Sequence, residues 1–171
     1  KPAGVSANEI NSRILNNEAG ILKGKAQAFI NASQKYNVNE IYLISHALLE
    51  TGNGKSDLAS GVKINGKTYY NVYGINAYDH CPTECGAQKA YEEGWDSIDK
   101  AIIGGAKYIA EKYIDKGQDT LYKMRWNPAK PSTHQYATDV GWAIKQTTRI
   151  YNMYQMLDSY MLYFDIPVYK K

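Results

Sequence analysis

Residues Ile41-Tyr-Leu-Ile-Ser-His-Ala-Leu-Leu49 leave a helix almost no polar side, and Glu50-Thr-Gly-Asn-Gly54 follows at once. An amphipathic helix can lie on a surface, but one that is apolar around its whole circumference must be enclosed by other elements. Asn39 stands at the N-cap position, and the two glycines after Glu50 stop the helix and turn the backbone away. The chain is therefore expected to wrap other helices around this one, with Glu50 at its exit. A carboxyl group held against Leu and Ile side chains ionises reluctantly. Such an acid, still protonated near neutral pH, can give a proton to a leaving group. The plain alternative is a helix-terminal Glu that merely reaches water; the apolar decade before it and the turn after it favour an acid facing a cleft.

The elements around this helix can be read from spacing. Ser6-x-x-Glu9 is a capping box, and Ile10, Ile14 and Leu15 mark a first helix over 7–17. Ala28, Phe29 and Ala32 predict a second over 25–36. Val62 to Tyr70 alternates around Asn65-Gly66, a hairpin signal, and 71–86 reads as loop. Helical character returns over 87–93 and again, more strongly, over 97–114. Gly104-Gly105 within that helix predicts close packing against another helix. A short helical turn is expected over 118–124 and a loop over 125–138. A final helix, capped by Asp139, is expected to run to Tyr163. The sum is a mainly α (α+β) fold in one domain over 1–171.

Charge and composition exclude several classes. The balance is mild, 20 basic against 17 acidic residues, and the basic ones are scattered, unlike the clustered Lys and Arg of a nucleic-acid binder. No apolar run reaches the ~20 residues of a membrane span. Lys1-Pro-Ala-Gly4 reads as the edge of a trimmed or processed chain. Cys81 and Cys85 are too few for zinc even with His80; a local disulfide and two unrelated thiols both fit the spacing. No serine-hydrolase elbow, zinc-protease helix or phosphate-binding glycine loop is present. No cofactor or metal is expected.

Tyrosine is the outlier, 16 residues against 2 Phe, and part of it suits rings that stack on sugars. Tyr69-Tyr-Asn-Val-Tyr-Gly-Ile-Asn-Ala-Tyr-Asp79 combines amides with rings, as does the loop from Met124-Arg-Trp-Asn-Pro128 to His134-Gln-Tyr-Ala-Thr-Asp139. His134 reads as a hydrogen-bonding loop residue and His46 as a satisfied core histidine.

Taken together, Asn39 to Gly54, Tyr69 to Ile75, Lys100 to Lys107, Asp119 to Pro128 and Gln135 to Asp139 resemble glycoside hydrolase family seventy-three. These are the endo-β-N-acetylglucosaminidases found as modules of Gram-positive autolysins. The resemblance implies a lysozyme-like helical domain with a small hairpin lobe flanking a long groove. It implies hydrolysis of the β-1,4 bond after N-acetylglucosamine in peptidoglycan, with Glu50 as general acid and Tyr136 positioning the reacting sugar or stabilising its transition state. Asn71, Tyr73, Asn76 and Tyr78 would line the groove from the hairpin side, with Trp126 and Gln135 opposite. For the second carboxylate, Asp79 and Glu84 are candidates, and the substrate's own N-acetyl group is the alternative. The Cys81-Pro-Thr-Glu-Cys85 loop departs from the expected pattern of autolysin relatives. A secreted, wall-associated monomer acting within a larger modular protein is expected. Two rivals remain, a lytic transglycosylase on the same polymer and a non-catalytic glycan-binding module.

Overall fold

The computed structural model describes residues 1–78, 80–166 and 168. Its order is α1 (Ala7–Arg13), α2 (Ala26–Tyr36), α3 (Glu40–Glu50), α4 (Asp57–Ser60), β1 (Val62–Ile64), β2 (Lys67–Tyr69), α5 (Pro82–Glu92), α6 (Ile98–Lys112), α7 (Leu121–Trp126) and α8 (Trp142–Gln155). Single 3-10 turns lie at Gly20–Leu22 and Ile114–Lys116. As its sequence requires, α3 is the enclosed rod: every residue from Glu40 to Leu48 is buried. Helices α2 and α8 pack on it, and α6 packs on α2. Asn39 caps α3 by accepting the Tyr42 N–H at 2.9 Å. None of the described helices is long and apolar enough to cross a membrane.

The hairpin forms as expected, with Val62 opposite Tyr69 and Ile64 opposite Lys67. Asn65 (φ 51°) and Gly66 (φ 79°) take the left-handed pair that a tight two-residue turn needs. Together with α4 and α5 the hairpin makes the small lobe.

Several boundaries differ from the sequence reading, among them α7, which covers Leu121–Trp126 where a turn over 118–124 is expected. Helix α1 ends at Arg13 because Ile14 and Leu15 both donate to the Ile10 carbonyl. Helix α5 begins at Pro82, in a stretch read as loop: proline is pre-set for the first helical position. A disulfide joins Cys81 to Cys85 across its first turn, resolving the question the spacing left open. Helix α8 starts at Trp142 with Gly141 at its cap, so Asp139 is not the N-cap; its carboxylate instead accepts from Gly141 N–H at 2.9 Å and Lys145 at 2.7 Å. The same helix stops at Gln155, not Tyr163, because the chain folds back: Arg13 holds the Met156 carbonyl and the Asp158 carboxylate, each at 2.7 Å, and Met161 N–H reaches Ala3. Finally, Gly104 and Gly105 do give close packing, but on the rings of Trp95 and Tyr73 and not on a helix.

Glu40, at the other end of α3 from Glu50, is 1% exposed. It accepts the N–H groups of Ala3 at 2.8 Å and Val5 at 3.1 Å and the Ser33 hydroxyl at 3.0 Å. Glu40→Ala would strand these buried donors at about 1–3 kcal/mol each. We expect a fall in Tm on the order of 10 °C, with the N-terminal amides losing protection in hydrogen exchange before the rest. Unchanged melting would show that water replaces the carboxylate at no cost.

Candidate active site

The exit of α3 places Tyr42, His46 and Glu50 on one face, four residues apart, inside a helix that reads as uniformly apolar. His46 is wholly buried; its Nδ1 lies 3.2 Å from the Tyr42 hydroxyl and its Nε2 3.6 Å from Glu50 Oε1. Burial lowers its pKa to about 3, so this approach is not an ion pair. The Tyr42 hydroxyl lies between Nδ1 and Met124 Sδ, to which it donates at 3.5 Å, and Nε2, the nitrogen facing Glu50, has no hydrogen-bond partner among the described residues. The expectation of a satisfied core histidine is thus half right.

Aromatic rings close around this face. Tyr136 meets His46 edge-on at 4.9 Å and stacks on Trp142 at 5.1 Å, while Tyr73 meets His46 from another side at 5.4 Å. Tyr113 meets Tyr136 at 4.9 Å and carries His134 stacked at 4.6 Å on its ring. Besides His46 Nε2, the hydroxyl of Tyr73 is buried without a partner among the described residues, and the indole N–H of Trp142 faces Glu50 outside strict hydrogen-bond geometry. Such orphaned groups are rare in a folded protein and cluster where function needs them.

Glu50 itself is 31% exposed through its side chain, enough to meet solvent on one edge while the rest is covered. Desolvation raises its pKa above the ordinary carboxylate range, opposed by the Trp142 indole N–H, so Glu50 stays protonated to higher pH than a free glutamate. On the lobe side it borders a cleft of 520 Å³ shared with Lys55, Asp57, Asn71, Gly74 and Pro82. Gly74 comes so close that a Cβ there would lie 3.0 Å from Glu50 Oε2. The cleft therefore holds a reluctantly ionising acid against bare backbone, with room beside it for a substrate.

The residues named from sequence are distributed unequally. Tyr136 is at the centre of the ring cluster. Asn71 borders the cleft, but its amide is used internally: it donates to the carbonyls of Ile75 (2.8 Å) and Gly86 (3.1 Å) and accepts from Ile75 N–H (3.2 Å). Tyr73 does not line the groove; at 1% exposure it is a core ring behind His46. Asn76, Tyr78 and Glu84 share a separate depression, so Glu84 is not brought together with Glu50. Asp79 lies outside the described residues. Opposite, buried Arg125 organises the loop, donating to Gln135 Oε1 at 3.0 Å and to the carbonyls of Asp139 and Thr138, with its guanidinium 4.1 Å over the Trp126 ring. His134 hydrogen-bonds Gln118 at 2.6 Å, as a loop residue should.

Trp142, Tyr113 and Asp57 were not singled out. Asp57, in the first turn of α4, is the other carboxylate lining the Glu50 cleft among the described residues. The nearest thing to a metal set, His80 with Cys81 and Cys85, has both sulfurs committed to the disulfide.

A helical domain with a hairpin lobe and a desolvated carboxyl at the exit of its central helix defines the lysozyme-like class. More specifically, residues 26–155 match the glucosaminidase model described as mannosyl-glycoprotein endo-beta-N-acetylglucosaminidase, and the chain belongs to that family. It is 57% identical over 171 residues to the beta-N-acetylglucosaminidase of Bacillus subtilis, covering 98% of this chain and 19% of that protein. It is 49% identical to the bifunctional autolysin of Staphylococcus aureus, covering 99% of this chain and 14% of the relative. The chain thus spans less than a fifth of the length of either. Among solved structures, a catalytic glutamate-to-alanine mutant of S. aureus autolysin E in complex with the disaccharide NAG-NAM superposes with a TM-score of 0.82 at 46% identity, covering 91% of this chain and 69% of that one.

Proposed function

We propose that this chain is a peptidoglycan hydrolase that cleaves the β-1,4 bond between N-acetylglucosamine and N-acetylmuramic acid, with Glu50 as the general acid. The observation that carries the reading is the Glu50 carboxyl itself, desolvated by burial at the exit of α3 yet open to a cleft on one edge. In its protonated form Glu50 donates to the glycosidic oxygen as the bond to C1 breaks, and the sugar passes through an oxocarbenium-like state. His46, kept neutral by burial, then faces the new carboxylate through Nε2 without adding a charge of its own. Tyr136, fixed between His46 and Trp142, positions the reacting sugar. Trp126 and Gln135, braced by Arg125, and Asn76 and Tyr78 on the lobe offer further rings and amides to the strand.

For the attacking water, Asp57 is the carboxylate that shares the cleft, which favours it over Glu84 as base. The substrate's acetamido oxygen is the alternative nucleophile. The autolysin name of a relative supports action at the cell wall by a secreted protein, as one catalytic unit of a longer enzyme. We take the unit to be monomeric.

Digestion of purified walls, borohydride reduction and mass spectrometry test the reaction class. New reducing ends should be N-acetylglucosamine. Anhydromuramic ends would replace this reading with the transglycosylase, and an absence of new ends would leave a binding module.

A further inference from the structure

On the flank of α3 away from the lobe lies a larger groove of 720 Å³, walled by α1, the stretch after it and α8. Its floor is apolar, formed by Leu48, Leu49 and Met153, with the exposed Ile144 at its edge. Its rim carries three cations, Arg13, Lys145 and Arg149, against one acid, Glu18. Two of these cations are neutralised, Arg13 by Asp158 and Lys145 by Asp139. Arg149 meets no carboxylate among the described residues; it donates to the Asn53 side-chain oxygen at 3.0 Å. Asn53 stands in the turn directly after Glu50, so this guanidinium is tied to the site and still carries an unbalanced charge into the groove.

We propose that this groove receives an acidic peptide: the carboxylate-bearing peptide branch on the sugar that leaves as the bond breaks. The inference rests on the hydrolase reading above. Geometry supports the reach. Along α8, Arg149 lies seven residues beyond Trp142, or about 10 Å at ~1.5 Å per residue. An extended branch covers that span in about three residues at ~3.4 Å each. The apolar floor suits small aliphatic side chains, and a guanidinium fork suits a carboxylate better than a neutral sugar does.

The test compares walls freed of phosphate polyanions with the same glycan stripped of peptide by an amidase. Wild type should cleave the peptide-bearing strand with the higher kcat/KM. In Arg149→Gln that preference should collapse by about tenfold, through KM, the size expected for one lost charge-assisted hydrogen bond. Asn53→Gly keeps the left-handed backbone (φ 61°) and removes only the tie to Arg149; it should retain the preference. If Asn53→Gly and Arg149→Gln lose activity alike on both polymers, Arg149 merely braces the turn and the inference is overturned. Equal wild-type rates on the two polymers overturn it as well, and if untreated walls that still carry the phosphate polyanions are then cleaved faster than both, those polyanions are the occupant instead. Cleavage of the stripped strand alone would leave the hydrolase reading standing, whereas cleavage of neither would bring down both. Circular dichroism and melting of each variant separate misfolding from altered preference.

Discussion

Glu50→Gln should lower wall-clearing turnover roughly 10³-fold, the middle of the range for a lost general acid, while the protein still sediments with walls. Gln keeps the size and the carbonyl oxygen, so binding through Tyr136, Trp126 and the lobe persists. The pH dependence follows from the raised pKa of Glu50. The wild-type rate should fall as pH rises through the folded-state value, giving a basic limb above the ~4.3 of a free glutamate. Stability carries the same sign. A carboxyl whose folded pKa is raised contributes fully below its unfolded pKa, and that contribution is lost as pH rises through the folded one. Glu50→Gln cannot ionise, so it should gain stability relative to wild type at neutral pH but not in acid. Wild-type clearing by the variant would falsify the acid assignment, and equal denaturant midpoints at both pH values would remove the desolvation argument.

The second large effect is expected at Gly74. Its φ of 61° disfavours any L side chain, and its absent Cβ leaves the 3.0 Å gap that Glu50 Oε2 fills. Gly74→Ala should cost about 1–2 kcal/mol of stability from the backbone alone. It should also displace the carboxyl, and a misplacement of ~1 Å can lower kcat about 10²-fold. Because the cleft walls stay in place, KM should change far less than kcat. A variant that turns over within twofold of wild type would show that Glu50 is aimed by α3 and Trp142 alone. His46 does not complicate the reading: with a pKa of about 3 it stays neutral wherever the enzyme would be assayed.

Much of this arrangement is legible in the sequence, for reasons that differ from residue to residue. The buried rod and its acid follow from composition and a turn, both local. The hairpin follows from two residues with a backbone preference. What local patterns hide is the polar stripe Tyr42–His46–Glu50, because Tyr and His count as core-compatible when neighbours are Leu and Ile; the four-residue spacing was the available signal. Asn71 and Tyr73 have the chemistry of a sugar-binding pair, yet the first is spent on a loop and the second on packing. That distinction depends on tertiary partners such as Gly105. Trp142 is not legible as a site residue, since nothing near it in sequence reveals that Glu50 lies beside its indole. Helix α5 was missed for its first turn because cysteine and proline together suggest a loop, although proline at the first position is itself a start signal.

The bond between Cys81 and Cys85 encloses only a five-residue ring. Cross-linking so short a ring removes little freedom from the unfolded chain, about 2 kcal/mol by the chain-entropy relation, while the core of α2, α3, α6 and α8 lies elsewhere. Cytosolic expression in a reducing host should therefore yield folded material with both thiols free, and oxidation afterwards would tighten only the rim of the cleft where Pro82 stands.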